Sequence, residues 1–338
     1  MHGSERARAL HARYPAIDLH ADSLMWARWL GYDIAARHEP PLPWAAWGGH
    51  VAVPRLVEGG VGAQFFGLVS LPVGQRRGLA QVVDGQIDEL EAALAKTPRL
   101  AFARSAEEVV HAADERRVAA LLGIEGAHAL EGELALLDHF ARRGVRYLGL
   151  AHFSANEVCW PAYGRGRDDT AGLTSFGRDV VQRCEELGVV VDLAHINRKG
   201  FFEACAMATR PPMVTHTGVL GAFDHWRNID DAQLRAVADL GGCVGVIFCP
   251  SFLGGDGLEP VVRHLCHIVD VCGEDTPALG SDWDGFIVPT KDLRDAAHLP
   301  LLTDALLQAG LAETTVGKIL RSNVLRVLSD NPIPAPVA

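Results

Sequence analysis

The sequence predicts an α/β fold, a closed (β/α)8 TIM barrel, on three observations. Short apolar runs rich in β-branched residues alternate with longer helical patterns for almost all of the 338 residues. There are eight such runs, the number that closes a parallel barrel. Residues able to do chemistry recur at their C-terminal ends, the face on which barrels of this kind build their sites.

The first run, AIDLHAD at residues 16–22, places His20 and Asp22 on one side of an extended chain. A Trp- and Pro-rich insertion follows at residues 25–49 with four of the seven Trp, and its position after the first strand puts it over the barrel mouth. It reads either as a packed surface segment or as a lid that touches substrate. The second run is GAQFFGLV (62–69), followed by two helical patterns, GQIDELEAALAK (85–96) and SAEEVVHAADE (105–115). From there strand and helix alternate: VAALLGIEG (118–126) with GELALLDHFARRG (132–144), RYLGLAHF (146–153) with TSFGRDVVQRCEELG (174–188), and VVVDLAH (189–195) with NRKGFFEACAMA (197–208). PMVTHTG (212–218) precedes DDAQLRAVADLG (230–241), and CVGVIFCP (243–250) precedes GLEPVVRHLCHIVDVCG (257–273). The eighth strand is ALGSDWDG (278–285), and VGKILRSNVLRVL (316–328) is the final helix. Gly, Pro or polar clusters stop each helical run. With no interior linker, residues 1–338 are expected to form one barrel domain with a short tail from about residue 329.

A formal net charge of -11 without a Lys/Arg stripe argues against a nucleic-acid partner. The seven Cys include no CxxC pair, so a disulfide framework is not expected and a cytoplasmic location is. The N-terminus carries basic residues without an apolar core segment, and no later apolar run is long enough for a bilayer; no membrane association is expected.

The strand ends carry His20 and Asp22, Glu125 followed by His128, His152, His195, His216, and Asp282 with Asp284. A single histidine there is ordinarily satisfied by backbone or solvent. Six strand ends bearing imidazole or carboxylate together point to a metal centre. Nitrogen and oxygen donors suit a borderline or hard divalent ion, and the missing Cys pairs set aside Cys-type zinc sites. A carboxylate can bridge two ions, and Glu125, flanked by Gly in GIEG, is the natural bridge. Two ions about 3.5–4 Å apart hold a hydroxide and polarise a carbonyl or phosphoryl oxygen, so hydrolysis is the expected chemistry. No GxSxG, Walker A or dinucleotide-binding pattern offers another route.

The stretches IDLHAD, GIEGAHAL, RYLGLAHFSANEVCW, VVDLAHIN, VTHTGVLGAFDHWRN and ALGSDWDG, in that order over roughly residues 17 to 286, resemble the membrane dipeptidase (renal dipeptidase) family of zinc peptidases. The resemblance implies two Zn2+ ions per chain. His20 and Asp22 would bind one, His195 and His216 the other, and Glu125 would bridge them. It further implies that His152 contacts the substrate and the tetrahedral intermediate, that Arg227 grips the dipeptide's C-terminal carboxylate, and that Asp282 handles the proton and the amino end. The bridging hydroxide would attack the scissile carbonyl while Asp282 hands a proton to the leaving amine. Arg227 has the fork geometry for a carboxylate, though as a bare residue it also reads as a surface Arg after DHW; Asp282 also reads as a support for a ligand His. His128 is expected to support the centre by orienting a neighbouring carboxylate.

The family implies dipeptide substrates including L-Xaa-D-Xaa, and a homodimer; the lipid anchor of its mammalian members has no counterpart signal here. FSANEVCWPAYG after His152 and LHADS around Asp22 depart from the family's usual residues, which leaves the side-chain pocket open. The alternatives are a metal-dependent amidohydrolase for N-acyl amino acids or other small amides, and an inactive barrel used as a binding module.

Overall fold

Parallel pairing passes from strand to strand until the sheet meets itself. In a computed structural model, which describes residues 2–38, 46–71 and 77–334, the strands are β1 (Ala16–Ala21), β2 (Val61–Val69), β3 (Leu100–Phe102), β4 (Val118–Glu125), β5 (Val145–Gly149), β6 (Val190–Asp192), β7 (Met213–Thr217), β8 (Cys243–Val246) and β9 (Pro277–Leu279). Their order is β2-β1-β9-β8-β7-β6-β5-β4-β3, and β2 also pairs with β4, from Ala63 opposite Ala119 to Val69 opposite Glu125, which closes the ring. The eight sequence-predicted runs are the eight barrel strands. β3 is an addition that lies beside the first residues of β4, with Leu100 opposite Val118. Its three residues are too few to display a two-residue alternation, so nothing in the sequence announced it.

Every barrel strand sends apolar side chains into one interior cluster: Ile17 and Leu19, Ala63 and Phe65, Ala119 and Leu121, Tyr147, Val190, Met213, Cys243 and Ala278. This is a packed interior, with a separate cluster between the sheet and the surrounding helices. The register of β1 shifts between Asp18, opposite Gln64, and Ala21, opposite Phe66. One extra residue on β1 at that point breaks strict alternation, which allows Ile17 and Leu19 to pack in the interior below while His20 comes to the mouth above.

Several helices begin where a side chain satisfies a free N–H group. Ser105 accepts from Glu108 N, Thr174 from Gly177 N and Asn197 from Gly200 N, and Asp230 with Gln233 forms a reciprocal capping box. Among the described residues no helix is long and apolar enough to cross a membrane.

The insertion leaves β1 as the helix Ser23–Leu30, and its described parts are tied to the loop after β9. Asp284 is the tie. Its carboxylate accepts from Ser23 Oγ (2.5 Å), His50 N (2.8 Å) and Val51 N (3.3 Å), and its backbone oxygen accepts from Trp26 Nε1 (2.6 Å). Trp44 lies outside the described residues. At the other end, residues 329–331 belong to the packed body: the last helix runs Asn323–Asp330, and buried Asn331 donates to Val327 O and Pro211 O.

Gly123 faces Tyr147 inside the barrel, where an added Cβ would lie 2.0 Å from the ring. Gly123→Ala is therefore expected to destabilise the fold by about 3 kcal/mol, the upper end of ordinary overpacking, read as a lowered midpoint in urea unfolding at unchanged slope.

Candidate metal centre

One carboxylate oxygen lies at the middle of the mouth. Glu125, the last residue of β4, places Oε1 3.0 Å from His195 Nε2, 3.3 Å from His216 Nε2, 3.5 Å from His152 Nε2 and 3.7 Å from His20 Nε2. His20 Nε2 also lies 3.2 Å from Asp22 Oδ1 and 3.7 Å from Asp282 Oδ1. All these side chains are buried or nearly so, as is Arg227. They arrive from six different strands or the loops that follow them, which is why residues so far apart in sequence share one small volume.

Space for the cluster comes from missing side chains. A Cβ on Gly67 of β2 would lie 2.2 Å from Asp22 Oδ1 and 2.8 Å from His20 Cε1. Two of the site residues have left-handed backbones, His195 at φ 64° and Asp282 at φ 61°, conformations costly for residues with a Cβ and concentrated at functional sites. For Asp282 the strain is compensated by hydrogen bonds: its N–H donates to His20 O (3.1 Å), and its carbonyl accepts from Gly285 N (3.1 Å).

The imidazoles are oriented from below. Thr215 Oγ1 donates to Asp192 Oδ2 (2.8 Å), so at 3.0 Å from His216 Nδ1 it is an acceptor; His216 then carries its proton on Nδ1 and turns a lone pair on Nε2 toward Glu125. Tyr147 Oη lies 2.7 Å from His20 Nδ1. The sequence reading missed Tyr147, Thr215 and Asp192. One sequence signal bore on them, Asp192 as a carboxylate in an otherwise apolar run; Tyr147 lies opposite Gly123 only through the pairing of β4 with β5.

Electrostatics bind the cluster together. Burial disfavours the ionised form of Glu125, but the surrounding imidazoles, His152 and His20 foremost, outweigh it and hold its pKa well below the ordinary value. Burial also opposes charge on His20, yet Asp22, Glu125 and Asp282 raise its pKa to about 10. Burial pushes Asp282 well above the usual carboxylate range, with Asp22 and Glu125 adding to the rise. His195 and His216 are driven toward the neutral, ligand-competent form, chiefly by burial.

The donor set fits divalent metal. Among the described residues three groups have ligand atoms within 4.8 Å of one another: His20, Glu125 and His216; Glu125, His152 and His195; His20, Asp22 and Asp282. His20 Nε2 and Asp22 Oδ1 are buried and, among the described residues, have no well-formed hydrogen bond. His195 and His216 point their Nε2 atoms at each other across 2.9 Å. Shared coordination satisfies such converging lone pairs, and the N/O set suits a borderline ion such as zinc.

The expectation for His128 changes, and the two readings of Arg227 are separated. His128 does not orient a carboxylate: its Nε2 faces Ser154 O (3.1 Å) and Ser154 Oγ (2.9 Å), because the short helix Ala127–Leu130 turns the ring toward the loop after β5. It braces the segment that carries His152. Arg227 is not a surface residue: its Nη2 donates to His216 O (2.6 Å) and lies 3.3 Å from His195 Nε2. Asp284, grouped with Asp282 by sequence, holds the insertion.

Comparison with known proteins places this geometry in context. Residues 4–333 match the family described as membrane dipeptidase, peptidase family M19. The dipeptidase tcpJ of Claviceps purpurea is 31% identical over 301 residues, covering 85% of this chain and 71% of that protein. An uncharacterised dipeptidase of Schizosaccharomyces pombe is 30% identical over 347 residues, covering 95% of this chain and 82% of its own length. A metallopeptidase from Rhodobacter sphaeroides, solved with a phosphinate mimic of the dipeptide L-Ala-D-Ala, superposes with a TM-score of 0.85 at 27% identity, covering 94% of this chain and 99% of that one.

Chelation should destabilise the protein and added Zn2+ should restore it. With ion at about a thousandfold over its dissociation constant the difference is about 4 kcal/mol. Glu125→Gln should abolish most of the metal-dependent rise in melting temperature, checked by calorimetry with and without chelator.

Proposed function

This chain belongs to the membrane dipeptidase family of metallopeptidases, and from that membership we propose that it hydrolyses dipeptides, L-Xaa-D-Xaa pairs among them, using two zinc ions. The observation that carries the reading is the ring of four imidazoles around Glu125 Oε1 with the Arg227 guanidinium beside it. The L-Ala-D-Ala mimic in the Rhodobacter sphaeroides relative supports the stereochemical part.

In this reading His20 and Asp22 would hold one ion and His195 and His216 the other, with Glu125 as a ligand shared between the two sets. When bound, the ions supply a water of lowered pKa and polarise the scissile carbonyl. The chain's own residues do the rest. Arg227 pairs with the substrate's terminal carboxylate; its bond to His216 O fixes the guanidinium, so little rotamer freedom is lost on binding. His152, whose Nε2 faces the bridging carboxylate, donates to the oxygen on which negative charge develops. Asp282, held at the end of β9 by its backbone bond to His20 O, takes the proton released on attack and returns it to the leaving amine. Burial of the whole group keeps competing water away and strengthens each of these contacts.

The test is a panel of L-Ala-D-Ala, L-Ala-L-Ala and their C-terminal amides, with zinc-reconstituted protein. Amidation is expected to lower kcat/KM by about 100-fold, the value of one charge-assisted hydrogen-bonded pair. Arg227→Gln should lower cleavage of the free acids by about 100-fold more than cleavage of the amides, so that the acid/amide ratio approaches one. Equal cleavage of acids and amides would remove Arg227 from the carboxylate. Failure to cleave any member would turn attention to N-acyl amino acids.

A further inference from the structure

Three aromatic side chains stand about half exposed beside the metal centre: Phe153 at 44%, Tyr163 at 49% and Trp226 at 41%. Phe153 meets the His195 ring edge-on at a centroid distance of 4.9 Å and lies 4.6 Å from the His152 ring. Trp226 stacks on Tyr163 at 4.2 Å and lies 6.5 Å from Phe153. The three therefore form one continuous wall that reaches the metal-binding histidines. A cavity of about 420 Å³ runs beside the Tyr163 and Trp226 part of it, bordered further by His195 and Arg227 of the centre and by Ile196 and Leu220.

The charges on the cavity rim are largely spent on one another. Arg167 pairs with Asp169 at 2.6 Å and Arg198 with Asp230 at 2.7 Å. What remains for a ligand side chain is chiefly ring and aliphatic surface, since the lining amides are engaged too: Asn228 donates to Phe223 O and Phe252 O, and Gln233 accepts from Asp230 N. Grouped aromatics left in water at the edge of a concave site mark ligand recognition, since burying such surface is favourable and rigid rings lose little entropy. Neither the metal ligands nor the proton carriers require these three residues.

We infer that Tyr163 and Trp226, with Phe153 beside Trp226, form a subsite for an uncharged aromatic or large aliphatic side chain on the substrate residue that bears the free carboxylate. The inference rests on the dipeptidase reading, with Arg227 at that carboxylate. A carboxylate and its side chain leave the same Cα, so a residue anchored at Arg227 presents its side chain to the neighbouring Trp226 and the wall beyond. The enzyme then selects its substrates by the bulk of the departing amino acid.

The experiment compares L-Ala-D-Phe with L-Ala-D-Ala on zinc-reconstituted protein, and the binding of phosphinate mimics of the same two dipeptides by calorimetry. Wild-type protein is expected to favour the phenyl compound about tenfold in both kcat/KM and affinity, and Tyr163→Ala and Trp226→Leu should each bring that ratio close to one. A wild-type ratio near one in both assays overturns the proposal. So does an equal loss on both compounds in the variants, which would mean that the wall only props the loops. If neither dipeptide is cleaved while the phenyl mimic still binds more tightly in a Tyr163-dependent way, the dipeptidase reading falls and the subsite stands. If neither mimic binds and neither dipeptide is cleaved, both fall.

Discussion

A single buried carboxylate oxygen, Glu125 Oε1, has four histidine nitrogens within 3.7 Å, and most of the molecule serves that contact. A charged group so far from water is costly unless opposite charge and directed donors surround it. No single helix or hairpin can bring four imidazoles to one atom. A closed parallel barrel can, because all its strand ends open on the same face, and here six of the eight contribute one or two side chains. The apolar interior from Ile17 to Ala278 gives that face a rigid floor.

Between floor and site lies a thin polar layer that turns rings into ligands. Tyr147 meets His20 from beneath, and Asp192 acts on His216 through Thr215. Asp18 accepts from Ser281 N and Oγ at 2.7 Å and from Gln64 Nε2 at 2.7 Å, joining β1 and β2 to the segment that carries Asp282. Burial raises the Asp18 pKa to about 6 despite these bonds. The left-handed backbones of His195 and Asp282 persist because such surroundings over-determine them.

How much of this could be read from sequence depends on what each residue does. Histidine and carboxylate at strand ends stand out against apolar runs, so His20, Asp22, Glu125, His152, His195, His216 and Asp282 were all visible, and the alternation gave the eight barrel strands. Tyr147 looked like core because it is core along most of its ring, with only its hydroxyl at the centre. The role of His128 turned on Ser154, a partner 26 positions away that periodicity does not reveal. β3 was too short to register, and the irregularity in β1 is a property of pairing between strands. Arg227 was assigned through family resemblance alone, since nothing in DHWRN says which way the side chain turns.

Asp284 has a different kind of consequence. It grips Ser23 where the chain leaves β1, and His50 and Val51 where it returns, so the two feet of the insertion are fixed side by side. For a loop whose ends are already joined, length is thermodynamically inexpensive: doubling it costs about 0.6 kcal/mol in closure entropy. Length added between those feet is thus tolerated by the strands beneath, provided the carboxylate remains and Leu24, Met25 and Trp26 keep their buried packing.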